Sequence, residues 1–186
     1  MFSFQSWSKA DGIKDVQLDG ISIGDSALLH YSSSELNNGF KTYYPNKKFY
    51  LMDLLSRGVK YDGIQFAFKQ NDKDFTVHQI AGFKMFKKKT FNQCLKEQKE
   101  IKKDISAQFK NLKINEVGTY DHPGDSTGQS KKNDIELTFP KTSESMTVEC
   151  IDWSKDITKE KGWVDNLAVV LYSKEYENWL RNKAFD

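Results

Sequence analysis

Apolar residues recur along this chain at two different spacings. From 91 to 112 they fall three, four and seven apart, at Phe91, Cys94, Leu95, Ile101, Ile105, Phe109 and Leu112, with mostly Lys, Glu and Gln between them. That spacing predicts an amphipathic helix of about five turns. Thr90 and Gln93 stand as a capping-box pair at its start. Elsewhere the period is two: Ile64, Phe66 and Phe68; Ile135, Leu137 and Phe139; Met146, Val148 and Cys150; Leu167, Val169 and Leu171. Each set predicts a strand with one covered face. Residues 40–55 are aromatic and apolar but broken by Pro45-Asn46, which predicts a hairpin. Residues 75–86 read as a long strand with Gly82 as a bulge or bend, and residues 16–23 as a short one.

Polar punctuation sets the remaining boundaries. Asp25 stands where an N-cap belongs, ahead of Ala27, Leu28 and Leu29. Ser32 and Glu35 form a second capping-box pair. Residues 115–133, with Gly118, Pro123, Gly124 and Gly128 among polar neighbours, read as the principal loop. Ser173 caps a closing helix whose apolar face is Tyr176, Trp179 and Leu180. Strands come in runs, and regular βαβ alternation is missing. The expected class is therefore α+β: antiparallel sheet with one long amphipathic helix and a C-terminal helix. A single domain over 1–186 is expected, with an N-terminal unit 16–114 and a C-terminal unit 132–183 joined by loop 115–131. The first fifteen residues read as an arm. No internal repeat has a fixed period, and the one low-complexity run is Lys87-Lys88-Lys89.

Composition narrows the function. Net charge is +2, and only Arg57 and Arg181 among the 28 basic residues are arginine. Bidentate recognition of guanine and phosphate relies on arginine, so specific nucleic-acid binding is not expected. An A/T-rich genome accounts for the lysine bias. Cys94 and Cys150 have no paired spacing, which excludes a disulfide-dense scaffold and a Cys-built zinc site. Free buried thiols are the commoner arrangement for such a pair, with one disulfide left open. No signal-peptide core and no membrane span are present, so the chain as written is expected in the cytoplasm.

Four stretches carry candidate chemistry. Gly24-Asp25-Ser26 resembles the first motif of the GDSL, or SGNH, hydrolases, whose serine is the nucleophile. The family's C-terminal Asp-x-x-His and its Gly-x-Asn-Asp do not occur, and His30, His78 and His122 all precede the C-terminal strands. A serine without a base is a poor nucleophile, so Ser26 is read first as part of a helix-start turn. In residues 121–127, Asp121, His122, Asp125 and Thr127 are candidate binding residues, though their spacing matches no EF-hand or zinc motif. Eight lysines between 84 and 103 are interleaved with Phe83, Phe86 and Phe91, yet Glu97, Glu100 and Asp104 dilute them into a solvated helix face. Trp153 and Trp163 are candidate contacts for a partner, because tryptophan is enriched at interface hot spots. Ile151 and Trp153 lie on the strand face opposite Val148 and Cys150.

Several segments together resemble a group of small proteins from marine bacteria with A/T-rich genomes. The matching residues include Asp19-Gly20-Ile21-Ser22-Ile23-Gly24-Asp25-Ser26, Tyr61-Asp62-Gly63-Ile64-Gln65-Phe66, Cys150-Ile151-Asp152-Trp153-Ser154 and Gly162-Trp163-Val164-Asp165-Asn166-Leu167. The resemblance implies one folded unit and supplies no activity. The layout is also similar to the small α+β modules of β-lactamase inhibitor protein, which bind other proteins. The leading expectation is a non-enzymatic protein that binds a protein partner, with no cofactor and no metal site. The alternative is a serine hydrolase acting through Ser26.

Overall fold

The computed structural model describes residues 12–56, 58, 60–86 and 90–186. Eight strands form one antiparallel sheet: β1 (Phe40–Tyr43), β2 (Phe49–Leu55), β3 (Gly63–Lys69), β4 (Gln79–Met85), β5 (Lys113–Asp121), β6 (Lys131–Phe139), β7 (Glu144–Asp152) and β8 (Asn166–Tyr172). Their spatial order is β1-β2-β3-β4-β8-β7-β6-β5. The α+β class with antiparallel sheet holds. So do both predicted main helices, α2 (Phe91–Gln108) and α4 (Lys174–Asn182); α1 (Ser33–Asn38) and α3 (Lys155–Lys161) are short.

The strand order contains a duplication of topology. Helix α1 precedes the meander β1 to β4, and α2 precedes the meander β5 to β8. The two meanders join where β4 meets β8 antiparallel, with Ile80 opposite Leu171 and Gly82 opposite Val169. Leu36 of α1 and Cys94, Ile101 and Ile105 of α2 enter the same core, so both helices cover one face of the sheet. Each helix begins as its polar residues specify. Ser32 and Glu35 cap α1, Thr90 and Gln93 cap α2, and the Ser173 hydroxyl accepts from Tyr176 N at α4.

The covered face is the one the period-two pattern marked. Ile64, Phe66, Ile135, Leu137, Met146, Val148, Leu167 and Leu171 are all buried there. Gln98 is the polar exception on α2: its amide donates to Asn133 O at 2.9 Å and Val148 O at 2.8 Å, tying the helix to two strands. Ile101 is 1% exposed. Truncating it to Ala is expected to cost about 2–5 kcal/mol in urea unfolding; a change under about 0.5 kcal/mol, typical of exposed sites, would mean the stripe is not packed as described.

Cys94 and Cys150 form a disulfide between α2 and β7, not two free thiols. Three local expectations also change. Residues 16–23 form no strand; Leu18 and Ile21 bridge across a turn in which Asp19 and Gly20 both have positive φ. β4 starts at Gln79, and Gly82 sits in continuous register opposite Val169 without a bulge; glycine suits the position because a Cβ there would lie 2.6 Å from the Tyr61 ring. The expected loop 115–133 contains most of β5 and the start of β6. β5 is an edge strand with mostly exposed residues, and its register shifts between Glu116 and Gly118, so no alternation announces it. Of the arm, residues 12–15 dock, with Ile13 buried; its first eleven residues and Lys87-Lys88-Lys89 lie outside the described residues.

Candidate functional site

Alternation along the strands defines the second face of the sheet. At one end of it Tyr176 and Trp179 of α4 pack on Phe49 and Ala67. Toward the other end the register sets out two rows of side chains. One row runs Phe83, Ala168, Glu149, Asp134 from β4 across β8 and β7 to β6. The next runs Met85, Asn166, Ile151, Lys132, Tyr120 and ends on β5. Ala81, Ala168 and Val170 form a buried cluster on this face, with Phe83 and Tyr172 packed against it. Phe40, Leu55 and Met85, on this same face, are exposed.

Polar groups are concentrated where β5, β6 and β7 run side by side. Lys132 Nζ lies 3.3 Å from Asp134 Oδ2 and 3.2 Å from Glu149 Oε2. The Tyr120 hydroxyl donates to Asp134 Oδ2, and Tyr172 adjoins Glu149. Burial pulls the Lys132 ammonium down, but the charges of Glu149 and Asp134 outweigh it and hold it above the ordinary lysine range. Burial pushes the Glu149 carboxyl up, and Lys132 offsets only part of that. The two partners thus point in opposite directions. With the ammonium against both carboxylates, the ion-paired form is the one the geometry supports. Burial followed by the Asp134 hydrogen bond raises the Tyr120 phenol, and burial raises Tyr172 further, so both remain donors at neutral pH.

A cluster of three aromatic rings, tilted 52° to one another at each contact, adjoins these charges. His122 and Trp153 have ring centroids 4.1 Å apart, and Trp153 and Trp163 4.6 Å apart. The outer ring, Trp163, is 40% exposed, and Lys161 Nζ sits 4.7 Å from its centroid. Burial, then the Lys132 charge, lowers the His122 pKa, and its Nδ1 accepts from Gly124 N at 2.9 Å. The imidazole is therefore held neutral against the Trp153 ring. The Trp153 backbone N–H donates to Asp165 Oδ1 at 2.8 Å, which anchors the main chain that carries the ring.

The predicted site residues divide accordingly. His122, Trp153 and Trp163 come together. Asp125 and Thr127 instead build the turn between β5 and β6: the Asp125 carboxylate accepts from Thr127 N and Oγ1 and from Ser130 N and Oγ. Asp121 pairs with Lys131 at 2.5 Å on the opposite side of the strand pair. In the lysine-rich stretch, Lys84 and Lys102 pair with Glu97 and Glu116. Sequence reading missed Tyr120, Lys132, Asp134, Glu149 and Tyr172. For Lys132, Asp134 and Glu149 the only signal was a charge on the polar side of a strand, which ordinarily means solvent.

Ser26 lies elsewhere, as the N-cap of a 3₁₀ turn over Ala27–Leu29. Its hydroxyl donates to Asp74 O at 2.5 Å and accepts from Leu28 N at 3.3 Å. The capping role expected of Asp25 is therefore taken by Ser26, while the Asp25 carboxylate accepts from Ser22 N at 2.8 Å. Ser26→Ala is expected to destabilise by about 0.5–2 kcal/mol, the usual cost of a lost cap, measured by thermal or urea unfolding. A silent substitution would remove the capping account.

No protein-family model, no curated protein and no solved structure matches this chain. No helix among the described residues is long and apolar enough to cross a membrane.

Proposed function

We propose that the chain is a non-enzymatic binding protein that takes a protein partner on the second face of its sheet, at the corner formed by His122, Trp153 and Trp163. The observation that carries this reading is the aromatic cluster. Rigid rings held in register beside sheltered charges are the composition of interface hot spots, and the outermost ring reaches solvent. Support against the hydrolase alternative comes from Ser26, whose hydroxyl is engaged with main-chain groups on both sides. In this reading the two resemblances make the chain a bacterial binding module. The Cys94–Cys150 disulfide favours an oxidising compartment over the cytoplasm expected from the sequence, because reducing compartments rarely preserve such a bond.

A photo-crosslinking residue at position 163 tests the reading in cells, with position 103, exposed on α2, as control. The expected result is a discrete adduct from position 163 that the control does not give. Equal adducts from both positions, or none from 163, would remove the proposal. Stoichiometric fluorophosphonate labelling lost in Ser26→Ala would establish the hydrolase instead.

A further inference from the structure

Two acceptor oxygens on this face have no hydrogen-bond partner. Asp134 Oδ1 and Asn166 Oδ1 are buried and unpaired, on residues only 7% and 9% exposed. The rest of each group is occupied. Asp134 Oδ2 takes the Tyr120 hydroxyl and Lys132 Nζ, and Asn166 Nδ2 donates to Val164 O at 2.9 Å. A buried acceptor without a donor is costly, the more so when charged, so a donor supplied from outside the chain would relieve both positions.

The chemistry of the missing donors follows from what surrounds them. Two carboxylates, Asp134 and Glu149, share the single ammonium of Lys132, leaving one negative charge in excess. The adjoining Trp153 and Trp163 rings attract cations over their faces, and Trp163 already holds Lys161 in that way. An incoming cation therefore meets a negative centre and a ring platform together. Arginine suits this best, since its planar guanidinium stacks on an indole while presenting several donors to a carboxylate. Asn166 and Asp134 lie two strands apart, about 10 Å by strand spacing. One guanidinium does not span that distance, whereas a peptide segment with a second N–H donor does.

We propose that the second face of the sheet binds a partner protein through an exposed arginine, which stacks at Trp153 and Trp163 and donates to Asp134, while a neighbouring N–H of the same segment donates to Asn166. This rests on the binding reading above and specifies the chemistry of its partner.

The probe is an acetylated, amidated Gly-Arg-Gly-Arg-Gly peptide, titrated against the full chain. Tryptophan fluorescence and the indole N–H resonances of Trp153 and Trp163 report binding. The Gln-for-Arg peptide and a neutral sugar, maltotetraose, run in parallel. Expected are saturable binding of the arginine peptide that weakens with added salt, no saturation by the glutamine peptide, and a loss of roughly tenfold or more in Trp163→Ala and in Asp134→Asn. Trp163→Ala keeps the test decisive should Asp134→Asn fail to fold. No saturable binding, equal binding by the Trp163→Ala variant, or tighter binding of the sugar than of the arginine peptide would overturn the proposal. A position-163 adduct that forms in cells but is not competed by the arginine peptide would overturn this inference alone and leave the binding reading standing.

Discussion

Removing the Cys94–Cys150 disulfide is expected to lower stability by about 4 kcal/mol, from the loop entropy that the bond withdraws from the unfolded chain. The two cysteines are 56 residues apart in sequence, and the closed loop holds all of β5 and β6. Without the bond, the unfolded state regains the freedom of that whole segment. In the folded state the helix keeps other anchors: Gln98 still donates to Asn133 O and Val148 O, and Ile101 and Ile105 remain in the core. The fold should thus survive reduction at lower stability. Urea unfolding with and without reductant measures the difference, and the double variant Cys94→Ala/Cys150→Ala separates it from reagent effects. A midpoint shift equivalent to less than about 1 kcal/mol would show that the bond contributes little beyond packing.

The parts of the fold that were legible in the sequence are those where burial imposes a period. Ile135, Leu137 and Phe139 alternate because one side of β6 faces α2, and the stripe on α2 exists for the reciprocal reason. Caps were legible because a serine or threonine three residues before a glutamate or glutamine has a specific hydrogen-bonding use. β5 was not, because an edge strand with most side chains in solvent has no burial pattern to write into its sequence, and its bulge breaks what alternation remains. The cap assigned to Asp25 moved by one residue because both Asp25 and Ser26 are competent caps and only the backbone decides between them. At the candidate site, Trp153 and Trp163 were visible as large rings in a polar context. Lys132, Asp134 and Glu149 were not, because a charge on the polar side of a strand reads as solvated until the neighbouring strands and rings are known to shelter it.

The second large effect is expected at Lys132. Its ammonium is the shared counter-charge of Asp134 and Glu149, and the three side chains are 17%, 9% and 12% exposed. Lys132→Met keeps most of the stem and leaves two sheltered carboxylates facing one another. Breaking a buried pair in this way costs about 3–5 kcal/mol, and the residual exposure of Lys132 places the expected value at the lower end. Two measurements separate this from a simple packing loss. First, protonation should recover stability: the variant ought to gain on wild type as pH falls through the Glu149 pKa, which burial already raises, because the neutral form no longer repels its neighbour. The sign differs for wild type, whose raised Lys132 pKa contributes stability fully present below the unfolded lysine value and lost as pH rises through the folded one. Second, Lys132→Met/Asp134→Leu/Glu149→Met removes every charge at once. Replacing a buried ionic cluster with apolar side chains is often neutral or stabilising, so this variant is expected to match or exceed wild type in stability while no longer binding the arginine peptide. That combination would mean that the cluster is kept for recognition at a cost to the fold. A triple variant that unfolds would instead make these charges part of what holds β5, β6 and β7 together.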